Sequence, residues 1–116
     1  MSNKFALFAF NGDPICFVHV MLNAADLREK GHEVRVVLEG SAVTVPRELE
    51  KPDAPFAGIW KEFKTSGLID AVCRACSAKL GVTEDVEAVG LPLTGEMKGH
   101  PAMSAYIAEG FQIITF

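Results

Sequence analysis

The chain has 116 residues, enough for one domain and too few for two comfortable ones. Its residues are 49% hydrophobic and 22% charged, the balance of an ordinary globular protein able to build its own core. A net charge of −4 with no cluster of Lys and Arg argues against a nucleic-acid partner, which would need a basic patch for phosphates. No run approaches the roughly 20 apolar residues that span a bilayer. The opening MSNKFALFAF has neither the long apolar region nor the small-residue cleavage site of a secretory signal. A cytoplasmic protein without a membrane partner is therefore expected. Three cysteines, an odd number with two close together, do not make a secreted disulfide framework. They are free thiols, metal ligands or redox groups.

Apolar runs of strand length alternate with helical stretches along the whole chain. Residues 5–10 (FALFAF) are continuously apolar, as in a strand covered on both faces. Asn11, Gly12, Asp13 and Pro14 make a turn in which Asp13 suits a helix N-cap and Pro14 the first helical position. The helix that follows, residues 15–30, is expected to bury Ile15, Val18, Leu22 and Ala25 and to leave His19, Asn23, Asp26 and Lys30 in water. Gly31 ends it as a left-handed residue. Residues 33–38 (EVRVVL) read as the second strand. The proline-bearing stretch 40–55 is less regular, with a short helix expected over 47–50. Phe56, Ile59, Trp60 and Phe63 recur at helical spacing, and Gly67 follows. Residues 68–72 form a third strand and 74–80 a short helix closed by Gly81. A fourth strand is expected within 86–93. Residues 94–100 form a glycine-bearing loop. Pro101 opens a last helix that carries Met103 and Ile107 inward, and residues 112–116 form the closing strand. Strands separated by helices imply a mostly parallel five-stranded sheet in a three-layer α/β/α sandwich, one domain over residues 1–116.

The sharpest chemical feature is Cys73-Arg74-Ala75-Cys76. In an open parallel sheet, ligands and reactive groups gather at the C-terminal ends of strands. Cys73 falls at such an end, and a helix begins within a residue or two. Backbone N–H groups and the positive end of the helix dipole favour thiolate there, and Arg74 adds a positive charge. Cys76, in the first helical turn, is placed to close a disulfide with Cys73 or to accept a sulfur atom. The bland alternative makes both cysteines small buried hydrophobes. A zinc site needs four ligands, and the available second pair is Cys16 and His19 in the first helix, where His19 sits on the polar face. No metal and no other cofactor is expected. Cys16 reads as packing beside Ile15 and Phe17. Glu96, Lys98 and His100 lie in a loop that also follows a strand end, and could supply a general acid or base to the thiol. His32 reads as an exposed residue at the opposite edge of the sheet. Asp70, a charge within the third strand, suggests a subunit contact or a sheet edge. Neither a phosphate-binding glycine loop nor a serine nucleophile elbow is present.

With these residues in view the chain resembles the DsrE/DsrF/TusD-like family, including the small YchN-like proteins. The likeness runs through ALFAFNGDP, LREKGHEVRVVLEG, VCRACSAKLGV and GFQIITF. In that family the reactive cysteine stands just after a strand and about eight residues before a glycine, places held here by Cys73 and Gly81. The resemblance implies a five-stranded parallel sheet between helices and a sulfur-relay role. In that role a cysteine takes sulfane sulfur as a persulfide and passes it to the thiol of a partner relay protein. It also implies a homotrimer or hexamer. Cys73 would be the acceptor and Cys76 an auxiliary or resolving thiol, an addition to the single cysteine of relay subunits. Two alternatives stand beside this one: an oligomeric scaffold or binding subunit with structural cysteines, and a Cys-x-x-Cys dithiol redox protein.

Overall fold

The computed structural model describes residues 3–116. Among them five strands, β1 (Lys4–Ala9), β2 (Glu33–Leu38), β3 (Ile69–Cys73), β4 (Leu93–Thr94) and β5 (Gln112–Thr115), form one sheet in the order β4-β3-β2-β1-β5. Every neighbouring pair is parallel. The helices are α1 (Pro14–Glu29), α2 (Val45–Leu49), α3 (Ala57–Lys64), α4 (Arg74–Lys79), α5 (Thr83–Val89) and α6 (Met103–Ala108), with a 3-10 turn over Gly40–Thr44 leading into α2. The expected five-stranded α/β/α arrangement is thus present. No helix among the described residues is long and apolar enough to cross a membrane.

Strand order explains the distribution of helices. From β1 to β4 the chain steps across the sheet in one direction. Residues of α1 to α5 accordingly pack with Leu7, Val36, Leu38 and Val72 on one face. The last connection returns across the whole sheet to set β5 beside β1. A right-handed crossover in that direction must use the opposite face. There Tyr106 of α6 and Phe111 cover Ala6, Phe8, Val37 and Ala71, so the third layer is a single short helix. The chain therefore leaves β3 toward one face and the adjacent β4 toward the other. Such a switch between neighbouring strand ends is the position at which doubly wound sheets bind ligands.

Asp13 caps α1 as its sequence implied, accepting the Ile15 N–H at 2.9 Å with Pro14 behind it. The buried stripe of α1, however, is Phe17, Val18, Val20, Met21 and Ala24, while Ile15 and Leu22 are 66% and 51% exposed. The first half of this helix is apolar almost all round, so periodicity selects a face only weakly. The choice is made by α3, whose Trp60 and Phe63 meet Phe17 edge-on at 6.5 and 6.0 Å between ring centroids. Two further expectations are corrected. Much of the segment read as a fourth strand is helical: α5 buries Val86 one turn after Val82, its first turn is acidic, and Gly90 ends it at φ +82°, leaving β4 only two residues. In α6 the inward residues are Tyr106 and, partly, Met103, one turn apart, whereas Ile107 is 59% exposed. The helix expected over 47–50 begins earlier, with Pro46 near its start.

Candidate functional site

The site begins where β3 stops. Cys73 is both the last residue of β3 and the N-cap of α4. Its Sγ accepts the Cys76 N–H at 3.3 Å, the bond a capping serine oxygen would ordinarily make. Its carbonyl accepts the hydroxyl of fully buried Ser77 at 2.7 Å, which fixes the start of α4. Cys73 is completely buried, and Cys76, in the first turn, is half-buried. Strand end and first helical turn are thus where the sequence placed the two cysteines.

Residues 94–100 fold back over this junction. Met97 and His100 exchange backbone hydrogen bonds at 2.9 Å in each direction, and the Ala75 N–H donates to the Gly99 carbonyl at 2.8 Å. Gly99 has φ +93°, and a Cβ there would lie 2.9 Å from the Ala75 side chain, so glycine is required for the loop to sit on α4. The docked loop sets His100 Nδ1 3.1 Å from Cys73 Sγ and 3.8 Å from Cys76 Sγ. On its other side Nδ1 lies 3.7 Å from Glu39 Oε1. Glu39 follows β2 directly and is only 8% exposed. One donor atom from each of Glu39, Cys73, Cys76 and His100 can be chosen so that all four lie within 4.8 Å of one another.

The electrostatics overturn one expectation. The Cys73 thiol is pushed up to about 12, not lowered. Burial is the main cause, followed by the hydrogen bond with the Cys76 side chain. The Cys76 N–H works in the anticipated downward direction, but the negative charges that Cys76 and Glu39 can carry oppose it. A six-residue helix offers little dipole to set against full desolvation. Glu39 is itself raised by burial, with His100 pulling the other way.

The remaining candidates separate cleanly. Arg74 donates to the Leu93 carbonyl at 3.0 Å, bracing β4 against the start of α4. Glu96 accepts the Ala102 N–H at 2.9 Å and so holds the entry to α6. Lys98 is exposed at the loop tip with φ +50°. Of the loop trio, His100 is the residue brought to the sulfurs. Cys16, read from sequence as packing, is exposed on α1, as is His19, and neither belongs to the donor cluster. His32 accepts the Asn3 N–H at 3.0 Å and meets the Phe5 ring edge-on. Asp70 stands at a register shift between β2 and β3 and accepts the Tyr106 hydroxyl at 2.5 Å, which ties α6 to the sheet. Sequence reasoning passed over Glu39. Its signal was a lone acid followed by glycine at the C-terminal end of an apolar strand, the same edge as Cys73.

A cysteine at a strand end, capped into a helix and roofed by the loop of the next strand, is an arrangement the whole sequence can be compared against. The sequence pattern of the DsrE/DsrF-like family matches residues 6–116. The chain belongs to the DsrE/DsrF-like family. It is 32% identical over 97 residues to an uncharacterized protein of Methanocaldococcus jannaschii, covering 84% of this chain and 77% of that one. A shorter uncharacterized protein of Archaeoglobus fulgidus is 39% identical over 46 residues, covering 40% of this chain and 75% of that one. Among solved structures, a conserved protein of unknown function from Bacteroides thetaiotaomicron superposes with a TM-score of 0.67 at 15% identity, over 97% of this chain and 95% of that one. This last likeness speaks for the DsrE/DsrF-like fold alone. The family is associated with sulfur relay.

Proposed function

We propose that this DsrE/DsrF-like chain is a sulfur carrier whose working unit is the Cys73–Cys76 dithiol, with His100 as its base. The observation that carries the reading is the 3.1 Å approach of His100 Nδ1 to Cys73 Sγ at the end of β3. A thiol that burial holds at about 12 is almost wholly protonated at neutral pH. It becomes a nucleophile when a base within hydrogen-bond reach takes its proton, and His100 is so placed. Burial also decides the order of events. Cys76, being half-buried, is the thiol that a donor meets first. Its sulfur attacks the outer sulfur of a donor persulfide, the donor S–S bond breaks, and the donor leaves as a thiol. Cys73 then attacks the outer sulfur of the Cys76 persulfide while its proton passes to His100. Cys76 leaves as a thiolate and takes that proton from His100, 3.8 Å away, and the sulfane sulfur rests on Cys73, with no net oxidation at either step.

Incubating the reduced, metal-free protein with a persulfide donor and weighing it intact tests this. One added sulfur atom per chain, located on the 73–76 segment, is expected. Cys73→Ser should leave any added sulfur on Cys76, and the double substitution of Cys73 and Cys76 should abolish uptake. A Cys73–Cys76 disulfide with release of sulfide, in place of a persulfide, would favour the dithiol redox reading. No change in mass at all would leave the cysteines as structural groups of a binding subunit.

A further inference from the structure

The donor set around His100 has a second capability, independent of the sulfur-carrier reading. We propose that Glu39, Cys73, Cys76 and His100 form a mononuclear site for a zinc-class divalent cation. Two sulfurs, an imidazole nitrogen and one carboxylate oxygen are a borderline-soft set, suited to Zn²⁺ and unsuited to Ca²⁺ or Mg²⁺, which take oxygen. A tetrahedral ion with metal–sulfur bonds of about 2.3 Å and metal–nitrogen or metal–oxygen bonds of about 2.0 Å sets its donors about 3.3–3.8 Å apart. His100 Nδ1 lies 3.1 Å from Cys73 Sγ, 3.8 Å from Cys76 Sγ and 3.7 Å from Glu39 Oε1, with all four donor atoms inside 4.8 Å. Shifts of no more than about 1 Å in any pair bring them to the separations one ion requires.

The surroundings support the donors as well as supplying them. The Cys76 N–H points at Cys73 Sγ, a bond that stabilises a metal-bound thiolate. Ser77 locks the carbonyl of Cys73, and the Ala75–Gly99 hydrogen bond pins the loop that carries His100. Glu39 is a buried carboxyl group whose one basic neighbour within 4 Å among the described residues is that same histidine. A divalent cation would offset most of the negative charge it carries together with two thiolates. The His100 side chain is 41% exposed, which leaves an approach from solvent. If the sulfur-carrier reading holds, metal and persulfide compete for Cys73, and a loaded site is silent in sulfur transfer until the ion is removed.

The reduced full-length chain, stripped with a chelator, is titrated with Co²⁺ and then with Zn²⁺ against a coloured chelator. One equivalent per chain is expected, with the thiolate-to-cobalt charge-transfer band and strong visible bands of a tetrahedral ion, bleached by Zn²⁺. Zinc should protect Cys73 and Cys76 from alkylation and leave exposed Cys16 reactive. Cys76→Ser and His100→Asn should each weaken binding by about tenfold or more, and Cys16→Ser should not change it. Glu39→Gln keeps the shape of the side chain and removes an anionic ligand, so it too should weaken binding, which guards against a cysteine variant that misfolds. Absence of stoichiometric binding, the pale spectrum of a six-coordinate ion, or unchanged affinity in Cys76→Ser or Glu39→Gln would overturn the site. None of these results bears on persulfide uptake by the metal-free protein.

Discussion

At the scale of single residues, exposure ranks the three cysteines. Cys16 stands in solvent, Cys76 is half-covered, and Cys73 is buried with a thiol held at about 12. In the folded, metal-free protein a small alkylating reagent at neutral pH should modify Cys16 first and Cys73 last, with labelling located by peptide mass. Modification of Cys73 should accelerate as the pH is raised toward 12, because thiolate is the reacting form. Labelling of Cys73 ahead of Cys16 at neutral pH would contradict this environment. The ranking reverses what the sequence suggests, and the reversal has a definite source. A Cys next to Ile15 and Phe17 looks packed when neighbours along the chain are read as neighbours in space. On a helix they point in different directions, and the buried stripe runs through Phe17 and Met21 instead. The second residue to test is Tyr106, whose hydroxyl reaches Asp70 from the far face of the sheet. Its phenol is raised, by burial first and by the Asp70 bond second. Tyr106→Phe keeps the ring against Phe8 and Phe111 and removes one hydrogen bond, so chemical denaturation should show a loss of about 1 kcal/mol.

At the scale of elements, two connections hold the site's frame. Glu50, just after α2, accepts the indole N–H of Trp60 at 2.7 Å and pairs with Lys64 at 2.7 Å, tying α2 to α3 across the proline-bearing segment. Its carboxyl is held below the ordinary carboxylate range by the Lys64 and Trp60 hydrogen bonds. A carboxyl depressed in the folded state contributes stability above its unfolded value of about 4.3. That contribution is lost as the pH falls through the lower folded value. Glu50→Ala leaves a buried indole N–H unpaired and should cost about 1–2 kcal/mol near neutral pH. The deficit against the parent protein should shrink in acid, measured by denaturation over a pH series. The other connection is Gly99 on Ala75. Gly99→Ala meets both a positive φ and a 2.9 Å clash, so the loop must lift and take His100 with it. Persulfide uptake should fall severalfold while the far-ultraviolet dichroism stays that of the parent.

The same two connections show how much of this frame could be read beforehand. Strand ends, the Asp13 cap and the stop at Gly31 are local matters of residue type and spacing, and the chain alone displays them. The helical character of residues 83–89 was hidden because the apolar positions of VEAVGLPL fit a strand just as well. What decides is Val82 and Val86 meeting the core one turn apart, a tertiary fact. Glu39 joining His100 is likewise long-range: they stand 61 positions apart and meet only because β2, β3 and β4 are neighbours in the sheet.

At the scale of the whole molecule, β5 closes one side of the sheet, and no other described residue pairs with its outer edge. Ile114 and Phe116 there are 38% and 37% exposed, with Phe10 bonded alongside. Such an edge is a template for another chain unless something covers it. Self-association through this side is expected, and sedimentation at micromolar concentration should show a species larger than the monomer. Ile114→Lys should shift the distribution toward the monomer without loss of secondary structure. A monomeric parent protein would place the chain apart from the oligomeric habit its sequence resemblance implied.

The loop over the thiols is held almost entirely by main-chain atoms and glycines, and its outermost side chains, Met97 and Lys98, hold none of it in place. The placement of His100 and the side-chain chemistry of the tip are thereby written in separate alphabets. Met97 can change its letter while the backbone beneath keeps His100 over the sulfurs, whereas Lys98, at φ +50°, can change only to a residue that tolerates a left-handed backbone. In a sulfur carrier of the kind proposed, drift at Met97 would alter what the tip offers a partner and leave the thiol chemistry unchanged.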